Sequence, residues 1–529
     1  MKASFKPLGL AAAVAAVTAG FAGVAQAQQL ANNSLGDVGI IPYYTTAGDF
    51  VTGVHIINTS DLTQVVKLRM RRGLDSMDAL DFNLILSPED EWTGFIRQDG
   101  DSIYFSTEDN SCTAPVRADG RFEMPGLYRE GAEEGYIEVI GMGSATSNQP
   151  IAVAALHDAD GVPTSCALAE SNFFRNATVA PVSYDPAGSR GITSSTTSNQ
   201  TCSDAIALAT GAIGFGETCA STGTRVLSNV YGDTGNALKV SFFHRDATSG
   251  LEFGNSAVHL ADFNDQAMMT NQEIIVTGES DAYGYLFPDL DGGSPIDGNR
   301  GRFEGVRAAL GAESVINDWS VVTERNVSTD WVVTLPGQYL MLDLAAYTLS
   351  LFDEDLDCLT VEQANALPSP LVPAEFYCDE RDLPVRLGIL VRDREEQTFS
   401  SPDDGLVISP SITDQPATDE LQNEVNVINW TNGDTEAVLP SIYAKEYNVS
   451  ALGADFGWAR LTVSPAANKT QGIYNFGASG VAGLPIFDPV VNTAVPIVGF
   501  VAWERSFPAN PDANYGRIVE HSYESGSAD

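Results

Sequence analysis

Residues 65–86 read VVKLRMRRGLDSMDALDFNLIL. Val66, Leu68 and Met70 alternate with Val65, Lys67, Arg69 and Arg71, and a period of two is that of a half-buried strand. Leu80, Phe82, Leu84 and Leu86 repeat the device, with Asp81, Asn83 and Ile85 on the opposite face. Residues 73–79 supply the reversal. The expected product is an antiparallel ribbon with an apolar inner face. Its outer face is expected to be exposed, with Lys67, Arg69 and Arg71 near Asp81. Exposed cross-strand ion pairs stabilise by ~0.2–1 kcal/mol each. A basic binding patch is the other reading, and the acids next door favour pairing.

Upstream, residues 51–58 read as a strand ending at Asn58-Thr59-Ser60-Asp61, whose side chains turn the chain by bonding nearby backbone groups. Downstream, Pro88 and then Trp92-Thr93-Gly94 close the unit. Short strands punctuated by turns predict a mainly β protein. Tandem antiparallel β-sandwich (immunoglobulin-like) modules are expected, with long loops and a few short helices. Strand patterns recur at 135–142, 151–157, 225–231, 237–244, 272–277, 330–335, 424–430, 457–463 and 495–503. Phe303, Val306 and Leu310 have helical spacing. Thr360-Val361-Glu362-Gln363 resembles a capping box. Residues 99–131 read as an acidic loop.

The expected organisation is a signal peptide over 1–27, a first sandwich over 28–182 and a Ser/Thr/Gly-rich linker or insertion over 183–224. A second β domain follows over 225–399. A linker over 400–423 leads to a C-terminal β region, 424–529, able to complete an earlier sandwich. No fixed-period repeat is present in the sequence.

The start of the chain predicts export. Lys2 and Lys6 precede an Ala-, Val- and Leu-rich run, and Ala25-Gln26-Ala27 fits the small-x-small cleavage pattern. No cysteine stands just after that point, and no later apolar run is long enough for a membrane helix. The C-terminus lacks the aromatic residue usual in outer-membrane barrels. A soluble exported protein is expected, secreted or on the surface of a Gram-negative bacterium.

Of 529 residues, 70 are acidic and 28 are Lys or Arg, a net charge of −42. Nucleic acid and anionic membranes are poor partners for such a surface. Solubility in salty water accounts for most of the carboxylates; calcium is the sharper alternative. The six cysteines are Cys112, Cys166, Cys202, Cys219, Cys358 and Cys378. Export makes disulfides the expected state. Sequence alone allows many connectivities, and nearest-neighbour pairing, Cys112–Cys166, Cys202–Cys219 and Cys358–Cys378, is the expected one. The last two loops would contribute on the order of 3 kcal/mol each.

A resemblance adds to this. Tyr43-Tyr44-Thr45, Ile57-Asn58-Thr59-Ser60-Asp61, Asp81-Phe82-Asn83-Leu84, Trp92-Thr93-Gly94, Thr329-Asp330-Trp331-Val332-Val333-Thr334-Leu335-Pro336 and Val495-Pro496-Ile497-Val498-Gly499-Phe500 occur in this order. The pattern resembles a family of secreted proteobacterial proteins. It is similar to that of a marine gammaproteobacterial surface-layer and biofilm-matrix protein, and the resemblance covers most of the exported chain. It implies a surface or matrix role and offers no catalytic residues to carry over. Where the family motif continues Phe-Pro-Thr-Lys, this chain has Leu335-Pro336-Gly337-Gln338.

The chemistry-bearing residues agree with a non-enzymatic reading. His55, His157, His244, His259 and His521 form no helical metal pair, and neither HExxH nor GxSxG occurs. A Ser-His-Asp set from distant segments stays open. Carboxylates cluster at Asp353, Glu354, Asp355 and Asp357, at Asp289, Asp291 and Asp297 among glycines, and at Asp158 and Asp160. Calcium takes several oxygens from flexible loops, so Asp289, Asp291, Asp297, Asp353, Asp355 and Asp357 are the candidate ligands. None fits an EF-hand, since the twelfth position counted from Asp289 is Arg300. The tryptophans lie in apolar strand patterns and read as packing residues. The expectation is a secreted structural protein, not an enzyme, that assembles with itself into a surface layer or biofilm matrix. A secreted adhesin or carbohydrate-binding protein, with cell-surface glycan as partner, is the alternative. A secreted hydrolase comes third.

Overall fold

The computed structural model describes residues 28–170, 173, 231–265, 267–269, 288–292, 303–337, 385–395, 420–465, 472–475, 486–489 and 495–524. The readings at 183–224, 272–277 and 360–363, and Asp297, Asp353, Asp355, Asp357, Cys202, Cys219, Cys358 and Cys378, lie outside them.

The ribbon forms as its alternation requires. Thr63–Arg72 pairs antiparallel with Asp78–Leu86, Arg69 opposite Asp81. It sits inside a seven-stranded sheet 1, in the order Gln29–Leu30, Val258–Ala261, Val38–Thr45, Glu134–Ala145, Thr63–Arg72, Asp78–Leu86, Cys112–Ala114. Sheet 2 has six strands, Glu252–Ser256, Leu238–Asp246, Phe50–Asn58, Glu91–Asp99, Ser102–Ser106 and Arg121–Glu123. Val66, Leu68, Met70, Phe82 and Leu84 of sheet 1 share a core with Val54, Ile56, Trp92 and Phe105 of sheet 2. This is the first sandwich.

The second sandwich joins sheet 3 (Glu420–Leu421, Val385–Asp393, Phe456–Pro465, Ser314–Ser320, Ser522–Glu524) to sheet 4 (Ala444–Asn448, Val425–Thr431, Val327–Thr334, Val498–Arg505, Tyr515–Glu520). Its ladders are antiparallel except Val425–Thr431 with Ala444–Asn448, which run parallel. Trp319, Trp331 and Trp430 centre its core, with Trp331 and Trp430 rings 5.3 Å apart. Sheet 4 is buried on both faces. Trp331, Val333, Ile428 and Val501 face sheet 3, whereas the alternate residues Val332, Val427, Phe500 and Ala502 belong to the core of the first sandwich. The period of two that makes a strand two-faced here makes one sheet the common wall of two cores.

Four expectations are corrected. The outer face of the ribbon is not exposed: Lys67 and Arg69 have no solvent-accessible surface and Arg71 has 1%. The Pro288 carbonyl lies on Arg69 and covers part of that face. Residues 151–157 hold no strand but the short helix Pro150–Ala155. Proline is favoured at a first helical position and alanine is the best helix former, and an apolar run this short has no period to arbitrate. Residues 99–131 are not simply a loop, since Ser102–Ser106, Cys112–Ala114 and Arg121–Glu123 are strands. The first sandwich does not end at 182, because the strands between 238 and 261 complete both of its sheets.

Among the described residues no helix is long and apolar enough to cross a membrane. The Cys112–Cys166 disulfide is present and ties Cys112–Ala114 to the helix Cys166–Glu170.

Candidate functional site

The largest concentration of buried charge lies on the outer face of sheet 1. The cations are Lys67, Arg69 and Arg71, two residues apart on one strand and therefore on one face. The anions come from the two flanking strands. Lys67 Nζ is 3.4 Å from Asp81 Oδ1, Arg69 is clasped by Asp78, and Arg71 Nη2 donates to Glu138 Oε2 at 3.1 Å. Tyr136 donates to Glu138 Oε1 at 3.2 Å and accepts the Gly337 N–H at 3.3 Å. Burial pulls Lys67 down to about 8 against the opposing pull of Asp81. Burial likewise raises Glu138, against Arg71 and Arg69.

Two of the candidate calcium ligands are found here. Asp289 and Asp291 are 3% and 1% exposed. Asp289 Oδ1 accepts the Asp291 N–H at 2.8 Å, and Asp291 Oδ1 accepts the Phe303 N–H at 3.1 Å, at the start of the helix. The preceding Pro288 carbonyl accepts from Arg69 Nη1 at 2.9 Å. These carboxylates thus brace a buried turn whose Pro288 carbonyl covers Arg69, rather than an open loop. Among the described residues no group of three His, Cys, Asp or Glu has metal-binding geometry.

A second cluster brings together a serine, a histidine and acids. Ser87 Oγ is 3.0 Å from His157 Nδ1, and His157 Nε2 is 3.1 Å from Asn110 Oδ1. An amide oxygen only accepts, so Nε2 is the donor to Asn110. Asp90 Oδ2 accepts the Ser87 N–H at 2.9 Å and lies 3.8 Å from His157 Nδ1. Burial raises the Asp90 carboxyl, with the Ser87 N–H and His157 opposing. Ser87 is only 4% exposed, so its oxygen is closed to a substrate carbonyl. The arrangement fastens the turn after Pro150–Ala155 to the end of Asp78–Leu86. Asp158 completes that turn through its own backbone, Oδ1 accepting the N–H of Asp160 and of Val162. Only a long-range contact joins Ser87 to His157, so no local signal pointed to it.

The third place is the junction of the sandwiches. Tyr43 donates to Glu134 Oε2, and Glu134 Oε1 accepts the Ile442 N–H, both at 2.6 Å. Asp330 Oδ2 accepts the N–H of Val438 and of Leu439 at 2.7 Å each, and burial pushes its carboxyl up to about 7. His244 stands among Tyr43, Phe242, Phe253 and Phe500, its ring centroid 5.4 Å from that of Tyr43, and burial lowers it to about 3. It is a neutral ring in an apolar wall. Beside it a cavity of about 460 Å³ is lined by Pro42, Phe242, Val258, Leu310, Phe500 and Tyr523 among others.

An aromatic group faces outward at the edge of sheet 4. Trp503 pairs across the edge of sheet 4 with Arg517, and Arg505 with Tyr515. The Trp503 and Tyr515 rings are 5.5 Å apart, Arg517 lies over Trp503 at 4.9 Å and Arg505 over Phe507 at 4.9 Å. Tyr515 is 45% exposed. Trp92, Trp319, Trp331 and Trp430 are fully buried, as packing residues should be; Trp503 is half-buried in this patch.

No protein-family model, no curated protein and no solved structure matches the chain.

Proposed function

We propose that the chain is a secreted, non-enzymatic structural protein of a Gram-negative cell surface, assembling with itself into a surface layer or biofilm matrix. The observation that carries this reading is the two-faced sheet 4. A sheet whose alternate residues enter two cores makes the two sandwiches one stiff unit, which is what a load-bearing lattice asks of its subunit. The buried polar groups serve the same end, Arg69 holding the Pro288 carbonyl and Tyr136 the Gly337 N–H onto sheet 1. The export signal, the net charge of −42 and the resemblance to a surface-layer protein support the location. Calcium is the ion that would bridge such acidic subunits, with the acidic segment 353–357 as its place in the sequence. The test is to image exporting cells by electron microscopy before and after chelation and to locate the protein by fractionation. A protein found only in the periplasm, on cells without an ordered coat or matrix, sinks the reading.

The Trp503, Phe507 and Tyr515 patch favours a second reading, an adhesin for acidic glycan. Flat aromatic faces stack on sugar rings, and Arg505 and Arg517 would meet carboxylate or sulfate groups. Glycan-array binding abolished by Trp503→Ala would favour it over assembly.

A further inference from the structure

Cleavage at Ala25-Gln26-Ala27 makes Gln28 the first residue of the exported chain. The Gln28 side chain is held against the protein: Oε1 is buried without a hydrogen-bond partner. It lies on helix Phe303–Leu310 at Gly305. A methyl group on Gly305 would stand 2.5 Å from Gln28 Oε1, 2.7 Å from Cδ and 3.2 Å from Cγ. Glycine inside a helix costs ~0.5–1 kcal/mol relative to alanine, and here its bare backbone is what lets Gln28 approach. The next residues are pinned. Gln29 and Leu30 pair with Ala261 and Leu260, and Ala31 N–H donates to the His259 carbonyl at 2.9 Å.

We propose that the exported chain carries pyroglutamate at position 28, formed by cyclisation of the N-terminal glutamine and seated on Gly305. The proposal rests on the export reading above, specifically on cleavage after Ala27. The α-amino nitrogen attacks Cδ of the side-chain amide. The N–Cδ bond forms, the Cδ–Nε2 bond breaks, and Nε2 leaves as ammonia with the proton given up by the amine. Nothing is oxidised or reduced. The product is a neutral five-membered lactam. It replaces a charged α-ammonium beside the helix and discards the amide nitrogen while keeping the side-chain carbonyl. A flat ring suits a seat that has no side chain at its floor, and it denies general aminopeptidases a free amine.

The experiment uses the full-length chain, exported from a Gram-negative host and analysed by tandem mass spectrometry of the N-terminal peptide. The expected peptide starts at residue 28, is lighter than its sequence by one ammonia and gives no Edman product. Unmodified Gln28 at the terminus overturns the cyclisation and leaves the export reading intact. A terminus elsewhere overturns both. The seat is tested by pyroglutamyl aminopeptidase. Release from the native protein should be several-fold slower than from the denatured chain, and Gly305→Ala should speed native release. Equal rates from native and denatured wild type overturn the seating, whatever the fold of the variant.

Discussion

Tyr43 and Glu134 stand on neighbouring strands of sheet 1, and the Tyr43 hydroxyl donates to the Glu134 carboxylate at 2.6 Å. The other oxygen of that carboxylate accepts the Ile442 N–H, in the loop between Val425–Thr431 and Ala444–Asn448. One side chain therefore joins the first sandwich to sheet 4. Glu134→Ala leaves two donors unmet and should cost about 3 kcal/mol, since each buried unsatisfied group costs ~1–3 kcal/mol. Glu134→Gln keeps an acceptor and should cost less. Urea unfolding measures both, and an unchanged midpoint for Glu134→Ala removes Glu134 from the junction.

Asp330 gives the molecule a pH dependence of definite sign. Burial holds its folded carboxyl at about 7, whereas 3.8 is its ordinary value. Between those values the folded state binds the extra proton. Stability contributed below pH 4 is therefore lost as pH rises to about 7, on the order of 1 kcal/mol per pH unit. Glu504, also pushed up to about 7 by burial, acts in the same direction. Asp330→Asn keeps an oxygen for the Val438 and Leu439 N–H groups. It should flatten the profile and melt above wild type at pH 8. Parallel melting curves across pH would show that Asp330 does not titrate in this range.

Arg71 and Glu138 test what the buried charges do. Removing one partner leaves a buried charge with weaker compensation, Arg71 keeping the Ser76 carbonyl at 3.3 Å and Glu138 keeping Tyr136, a loss of up to ~3–5 kcal/mol. Arg71→Met and Glu138→Leu should each destabilise by that order, and the double variant should recover most of it. Additive losses in the double-mutant cycle would mean that the pair is not coupled.

The ribbon at 65–86 shows where the sequence was readable and where it stopped. Val66, Leu68 and Met70 declare an inner face because period two and apolarity are local properties. Lys67, Arg69 and Arg71 look like solvent residues because nothing local reveals their cover. That cover includes the Pro288 carbonyl, bonded to Arg69 across 219 positions. The same distance misplaced Asp289 and Asp291, whose glycine-rich setting suggested a loop. Pro150–Ala155 failed for a different reason, being one and a half turns of apolar residues. Of the site features, the pairing of Cys112 with Cys166 was legible from proximity. The Ser87–His157 and Glu134–Ile442 contacts were not, since both partners come from distant segments.

The disulfide closes a loop of 54 positions. Chain entropy assigns such a loop about 4 kcal/mol. Cys112→Ala with Cys166→Ala should lower the unfolding free energy by up to that amount. A melting temperature equal to that of wild type under non-reducing conditions would contradict a structural role.

Chains of this size ordinarily unfold domain by domain, and the shared sheet predicts otherwise. Phe500 belongs to the core of the first sandwich, 5.8 Å from the Phe242 ring, while its neighbour Val501 belongs to the core of the second. Losing either sandwich exposes one face of the same sheet. Trp92 reports on the first core and Trp319, Trp331 and Trp430 on the second. Fluorescence of Trp92→Phe and far-ultraviolet circular dichroism of wild type should therefore give coincident midpoints. Phe500→Ala should move both together, by ~3–5 kcal/mol for a buried Phe. Val332→Asp, a charge placed in the wall on the first-sandwich side, should pull the transitions apart. If wild type already unfolds in two separate steps, the two cores are independent and the stiff subunit on which the assembly reading depends does not exist.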